Sequence, residues 1–332
     1  MAVTLKEVAE RAGVSRSAVS RTFTNGASVS EKMRRKVEKA AEELGYSPNA
    51  LASSLTTGRT KLIGLISDNF HNPFFLKAFD VFTSGLQARD LRPLLVNLTS
   101  MPDPDQAAQM LRQYSVDGVI VASSTVPPSF ATLFEKAGIP AVFAFARYRG
   151  SDSSNVVGID NEHAGSFAAR LLIERGYRNI GYLGGPKTAV STTDRLKGFS
   201  AEMASQGLGF SHSFSEEYSF DAGRAEMLRL IDEGNLADVY FGADDIISIG
   251  ALSALQSRGF KVPEDVGLLG LNDLEMAGWD NINLTTIRQP IGQIAAASVD
   301  LMVSLLDDPE RHPEARLFPC TLIERGSLRP SV

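Results

Sequence analysis

The sequence predicts two folds in one chain: an all-α helix-turn-helix unit over residues 1–60, then an α/β core of two doubly wound parallel-sheet subdomains over 61–332. Three observations predict this. Short amphipathic helical patterns, parted by a glycine, crowd the first 45 residues. From Lys61 onward, short apolar runs alternate with longer helical patterns. The charge also divides: residues 1–60 carry ten Lys/Arg against six Asp/Glu, a net of +4, while the whole chain is −6 and the remainder −10.

Taken in order, Thr4 is placed to cap a helix whose Leu5, Val8 and Ala9 form one apolar stripe, and Gly13 ends it. Ser15 opens a second short helix with Ala18, Val19 and Phe23 facing inward and Arg16, Ser17 and Arg21 facing out. A third helix is expected from about Ser30 to Leu44. Its Ser-x-x-Met start lacks the acid of a full capping box, and Met33, Val37, Ala40, Ala41 and Leu44 recur at helical spacing to close a small core. Two short helices around a glycine turn, the second with a basic and hydroxylated outer face, form a DNA-binding pattern. The plainer alternative is a solvated helical domain. The tight spacing and the charge asymmetry argue against it, because phosphate contacts supply most non-specific DNA affinity.

In the core, LIGLIS, PLLVNL, GVIVAS, AVFAFA, NVVGID, NIGYLGG, DVYFGAD and VGLLGLN are apolar runs without polar alternation, as strands buried on both faces require. Between them lie helical patterns such as FFLKAFDVFTSGLQARD, DQAAQMLRQY, EHAGSFAARLLIERG, RLKGFSAEMASQG and ISIGALSALQSRG. About 270 residues exceed one sheet core, so two lobes are expected. PPS near Pro127 and RYRGSDSS near Gly150 read as surface loops.

Composition narrows the function classes. No N-terminal apolar h-region and no run approaching ~18–20 apolar residues is present, so a cytoplasmic protein without membrane contact is expected. The single cysteine, Cys320, excludes an internal disulfide. His71, His163, His212 and His312 show no metal-ligand spacing, and no G-x-G-x-x-G, phosphate-loop or H-E-x-x-H motif occurs. No metal, cofactor or catalytic group is therefore expected. The adjacent acids Asp244 and Asp245 could form a catalytic pair on a sugar, but such acids at a strand-to-helix turn more often cap the helix.

VAERAGVSRSAVSRTF, RRKVEKAAEELGY and YSPNALASSL resemble the headpiece of the LacI/GalR family of bacterial regulators. VDGVIVASS, IDNEHAG, LIERGYRNIGYLGGP, DRLKGF, VPEDVGLLGLND and LTTIRQP resemble that family's periplasmic-binding-protein-like core. The resemblance covers nearly the whole chain. It implies a homodimeric, sequence-specific regulator, expected to be a repressor, that binds pseudo-palindromic double-stranded operator DNA under control of a small-molecule effector. The implied DNA contacts are Thr4, Ser15, Arg16, Ser17, Ser20, Arg21, Ser28, Asn49 and Leu55. Arg16 and Arg21 suit bidentate contact to guanine, worth ~1–3 kcal/mol of discrimination each, and Ser20 and Ser28 suit phosphates. A hinge helix at about 48–56 would order on DNA, Pro48 being harmless at its start, with Leu55 as a minor-groove wedge.

Ligands of open α/β sheets sit beyond the carboxyl ends of the strands. The resemblance then implies effector contacts at Phe74, Phe75, Arg147, Ser191, Arg195, Tyr218, Asp244 and Asn272. Arg195 in RLKGF occupies the position of a ligand-clamping arginine, and Tyr218 that of a stacking aromatic. Donors and acceptors around an aromatic face suit a sugar or sugar derivative; a nucleobase or nucleoside corepressor is the alternative. Two positions depart from the family pattern: many relatives carry aspartate where Asn272 stands and asparagine where Asp244 stands. Dimerisation is expected through the helix after Pro73 and the helix around Ile247–Ser257, both rich in apolar and small residues, an excess that intramolecular packing would equally explain. No leucine heptad follows the TLIERGS segment, so a dimer is expected rather than a tetramer.

Overall fold

The computed structural model describes residues 3–24, 27–49, 54, 58–100, 104–123, 126, 129–147 and 154–330. The chain divides into two compact units, Met1–Lys61 and Leu62–Val332.

The first unit holds α1 (Leu5–Ala12), α2 (Arg16–Thr22) and α3 (Glu31–Leu44). Thr4 and Glu7 form a reciprocal capping box: the Thr4 N–H donates to Glu7 Oε2 at 2.7 Å and the Glu7 N–H to Thr4 Oγ1 at 3.4 Å. Gly13 closes α1 at φ 58°, a left-handed conformation that favours glycine. Ser15 caps α2 by accepting from the Ala18 N–H, and Ser30 caps α3 by accepting from the Met33 N–H. Val8, Ala9, Ala12, Val19, Val37, Ala40 and Ala41 form the core. Phe23, at the C-cap of α2, is half-buried and packs against that core, its ring 5.8 Å from that of Tyr46. Thr22 is the buried residue, its hydroxyl satisfied by the Ala18 carbonyl at 2.8 Å. Arg34 Nη1 donates to the Thr22 carbonyl and Arg11 pairs with Glu43, pinning α3 to α2 and α1.

The second unit contains two six-stranded sheets. Its first lobe is built on β1 (Leu62–Ser67), β2 (Arg92–Asn97), β3 (Gly118–Ala122), β4 (Ala141–Ala144), β5 (Asn155–Gly158) and β11 (Ala315–Leu317), in the order β11-β5-β4-β3-β1-β2. Around it lie α4 (Pro73–Gln87), α5 (Pro104–Gln113), α6 (Ser129–Ala137) and, from the far end of the chain, α11 (Ile291–Asp307). The second lobe has β6 (Ile180–Gly184), β7 (Ser211–Phe214), β8 (Val239–Gly242), β9 (Gly267–Leu271), β10 (Thr286–Arg288) and β12 (Thr321–Ile323), in the order β12-β10-β9-β8-β6-β7. Its helices are α7 (Asn161–Glu174), α8 (Val190–Ser205), α9 (Phe220–Asp232) and α10 (Asp245–Ser257).

Among the described residues, pairing is parallel throughout except β10 with β12. β3, β5, β6, β8 and β9 are buried along their whole length, as their unbroken apolar character demands. The chain crosses between lobes three times, after β5, after β10 and after β11. In each lobe the strand order reverses at the strand next to one edge, β1 in the first and β6 in the second. The carboxyl ends of those strands face the cleft that the crossings bound.

Two helix pairs in the second lobe pack backbone to backbone. A Cβ on Gly165 of α7 would run into the carbonyl oxygen of Arg195 on α8, and one on Gly198 of α8 into that of Glu162. Gly223 of α9 and Gly250 of α10 meet Ile247 and Phe220 in the same reciprocal way. This packing corrects the expectation that α10 offers a dimer face. Residues 245–252, 254 and 255 are buried within the chain itself, so the apolar richness of α10 is intramolecular. α4, in contrast, exposes Leu76 at 75%.

Candidate functional site

On the first unit, Arg16, Ser17, Ser20 and Arg21 are all exposed on α2, with Ala18 and Val19 on its opposite, buried face. Alternation at helical spacing therefore brings the expected base-reading side chains onto one surface. Ser15 is committed to its cap and lies 2.9 Å from the Ser17 hydroxyl. The Thr4 hydroxyl is likewise engaged by Glu7. Ser28 and Asn49 are exposed. Leu55, with most of the 48–56 segment, lies outside the described residues.

Between the two lobes of the core lies a cavity of about 30 Å³. The first lobe supplies an aromatic wall of Phe74, Phe75 and Phe145, in edge-to-face contact with one another. Asn72 caps α4 by accepting from the Phe74 N–H at 3.0 Å, and Pro73 at the first helical position turns both rings inward. Phe145 follows β4 with φ 62°, a conformation costing about 1–3 kcal/mol for a bulky residue. Its N–H is held by the Val157 carbonyl at 2.8 Å. Asn272 and Asp273, just beyond β9, also have positive φ (128° and 55°).

The second lobe supplies the polar groups. Arg195 is buried on α8; its Nε donates to Asn161 Oδ1 at 2.8 Å and its Nη1 to the Ala243 carbonyl at 2.5 Å. Those two anchors fix the guanidinium and leave Nη2 for a further acceptor. Tyr218 packs its ring over Gly185, and its hydroxyl meets Ser191 at 2.8 Å and Thr192 at 2.7 Å. Burial pushes the Tyr218 phenol above its ordinary pKa. Asp244 caps α10 through the Ile246 N–H and accepts from Asn272 Nδ2 at 2.8 Å. Burial drives its pKa up to about 6, although the hydrogen bond from the Ile246 N–H and the charge of Arg195 oppose the shift.

The two departures from the family pattern are thus in direct contact. One carboxylate and one carboxamide are kept, with their places exchanged.

Of the expected effector residues, Phe74, Phe75, Ser191, Arg195, Tyr218, Asp244 and Asn272 line the cavity. Arg147 does not. Its guanidinium forms a two-pronged ion pair with Asp194 and also reaches Thr193, across the cleft on α8. It lines an outer groove with Asp160, Asn161, Glu162, Asp194, Lys197 and Leu317, and Asn161 is shared with the cavity. The carboxylate attracts the arginine more strongly than a neutral ligand would.

Asp245 also turns away. It accepts from the Thr286 hydroxyl at 2.6 Å and the Leu274 N–H at 2.8 Å beneath the cleft, so it and Asp244 do not converge on one point. Asp273 pairs with Arg288 and Arg325 outside the cavity. Sequence reasoning missed Asn69, Asn72, Phe145, Ile159, Asn161 and Gln289. Asn72 was signalled by its place before Pro73. Ile159 and Gln289 stand at the crossings between lobes, which only the strand order reveals.

The sequence profile described as "Bacterial regulatory proteins, lacI family" matches residues 4–49, and that of a "Periplasmic binding protein-like domain" matches residues 169–328. The HTH-type transcriptional repressor PurR of Proteus mirabilis (strain HI4320) is 31% identical over 98% of this chain and 96% of its own length. The chain belongs to the lacI family. PurR of Escherichia coli O139:H28 matches to the same extent. Among solved structures, the lac repressor dimer bound to operator and the anti-inducer ONPF superposes with a TM-score of 0.88 at 25% identity, covering 99% of this chain and all of that one. The transcriptional regulator CelR–cellobiose complex gives 0.74 at 28% identity, covering 98% and 99%. As a lacI-family member, the protein is a DNA-binding transcriptional regulator whose activity a small molecule controls. The relatives it matches are transcriptional repressors rather than enzymes.

Proposed function

We propose that this lacI-family protein is a cytoplasmic, homodimeric repressor that binds a pseudo-palindromic operator through Arg16, Ser17, Ser20 and Arg21. Its effector, in this reading, is a neutral polyhydroxylated molecule held in the interlobe cavity. The observation that carries the effector reading is Arg195: two fixed anchors and a spare donor, facing an aromatic wall on the other lobe. Rings pack on Phe74, Phe75 and Phe145 while Arg195, Asp244 and Asn272 grip hydroxyls. A nucleobase is the second reading, favoured by that same aromatic wall, against which a planar heterocycle would lie.

The protein acts by binding, not by turnover, in keeping with the divergence of Asp244 and Asp245. Effector control then follows from its differential affinity for two arrangements of the lobes, and can be no larger than that difference. A thermal-shift panel of sugars, sugar acids, nucleobases and nucleosides tests the reading. A ligand at 100 times its Kd adds about 2.7 kcal/mol to stability. Stabilisation by a sugar that also changes a mobility shift on promoter DNA supports it. Chemical conversion of that sugar by pure protein overturns it.

A further inference from the structure

Among the described residues, side chains join the lobes across the cleft at two places that the three chain crossings do not impose. One is the Arg147–Asp194 ion pair beside the outer groove. The other is buried: Asn72 Nδ2, on the first lobe, donates to Asp244 Oδ2, on the second, at 2.9 Å. Asn72 has no freedom to turn its amide over. Its Oδ1 accepts from the Phe74 N–H as the cap of α4, so Nδ2 is the end presented to Asp244.

The carboxylate of Asp244 is correspondingly engaged. Oδ1 takes the Ile246 N–H at 2.9 Å, and Oδ2 takes both Asn72 and Asn272. The cavity beside it, about 30 Å³, has room for a water or two. Small-molecule sites are about 300–1,000 Å³. A ligand therefore meets a closed cleft whose buried acceptor already holds a donor from the opposite lobe.

We propose that the Asn72 carboxamide is an internal occupant of Asp244, and that the effector binds by replacing it with a hydroxyl or amide donor of its own. The proposal rests on the reading of the cleft as the effector site. It makes Asn72 a determinant of affinity and of ligand class. Molecules without a donor to offer the carboxylate are rejected, because expelling Asn72 would leave a buried acceptor short of a partner. Opening the cleft and losing the Asn72 bond are then one event.

The test uses Asn72→Ser, which keeps a capping oxygen for the Phe74 N–H but is too short to reach Asp244. Hydrogen exchange by mass spectrometry on the full-length protein, without ligand, should show several-fold faster exchange in segments 190–196 and 243–248. Both lie on the opposite lobe, beyond the reach of a weakened cap on α4. Asp194→Asn, alone and combined with Asn72→Ser, separates the contribution of the outer ion pair. Unchanged exchange in those segments, in Asn72→Ser and in the double variant alike, overturns the proposal.

A second arm titrates wild type and Asn72→Ser with D-ribose, cellobiose and hypoxanthine by thermal shift. About tenfold tighter apparent binding to Asn72→Ser is expected of a ligand that binds, and weaker binding would make Asn72 a contact rather than a competitor. Faster exchange with no stabilisation by any of the three would establish the interlobe bond while removing replacement by these donors. If the wider panel also fails, the reading of the cleft falls separately.

Discussion

Asp244 and Asp245 show how burial at single residues reverses an ordinary pH dependence. Burial raises Asp244 to about 6 and Asp245 to about 7, the latter despite hydrogen bonds from Thr286 and Leu274. A carboxyl whose folded-state pKa lies above its unfolded value penalises folding when ionised. That penalty is present in full above about pH 7 and is relieved as pH falls toward the ordinary aspartate range. The melting temperature should therefore rise between pH 8 and pH 5.5, and Asp245→Asn should flatten that rise. A wild-type melting temperature that is level across this interval would show that neither ionised form is penalised.

Arg195 gives the functional counterpart. Arg195→Ala, with its anchors to Asn161 and Ala243 gone, should abolish the effector response while leaving operator affinity within about twofold; calorimetry showing unchanged effector affinity would sink the assignment. Arg195 and Asp244 were legible in the sequence because each follows an apolar run within a recognisable phrase, whereas Tyr218 rested on the family resemblance alone. Asn72 as a partner of Asp244 was not, since the two are 172 residues apart and meet only through the packing of two lobes. Arg147 is the complementary case. Its position after β4 is the expected one, but nothing local to it reveals Asp194 waiting on α8.

Among the elements, the reciprocal glycine contacts of α7 with α8 connect packing to recognition. Gly165 lies one helical turn after Asn161, and the atom it accommodates is the carbonyl of Arg195 itself. The close approach sets the register that lets Asn161 accept from Arg195 Nε. Gly165→Ala should cost about 1–3 kcal/mol by overpacking, since the obstructing atom is backbone and cannot rotate away. It should also weaken effector binding more than operator binding. Thermal melts and titrations on the same preparation separate the two effects. Unaltered stability would mean that the helices slide apart freely.

The strands show where sequence reading stops at this scale. Fully buried parallel strands such as GVIVA and GLLGL declare themselves by unbroken apolarity. SHSF at an edge and the three-residue TIR and ARL do not, because each has too few buried positions to make a pattern. α10 shows the opposite failure. Its apolar surplus is real, but the glycine contact with α9 consumes it inside the lobe.

For the whole molecule, the division of charge separates two kinds of affinity. Arg16 and Arg21, from the net-positive first 60 residues, stand on the exposed face of α2, where counterion release dominates binding to DNA. The effector cleft works through buried hydrogen bonds, which salt screens little. A dimer making 6–10 phosphate contacts should lose on the order of 10³–10⁵ in operator affinity between 50 and 200 mM salt. Effector affinity over the same range should change by no more than about twofold.

Within that frame the arginines of α2 divide by what they touch. If Arg21 reads a base edge, Arg21→Ala should cost about 1–3 kcal/mol on the cognate operator and relax preference at one position of each half-site. If it touches only phosphate, the loss should be uniform across sequences and the slope of log affinity against log salt should fall by about one per subunit. Fluorescence anisotropy against an operator and a single-position mutant series, at three salt concentrations, tells these apart. The base-reading role predicts a sequence-dependent loss with the salt slope preserved.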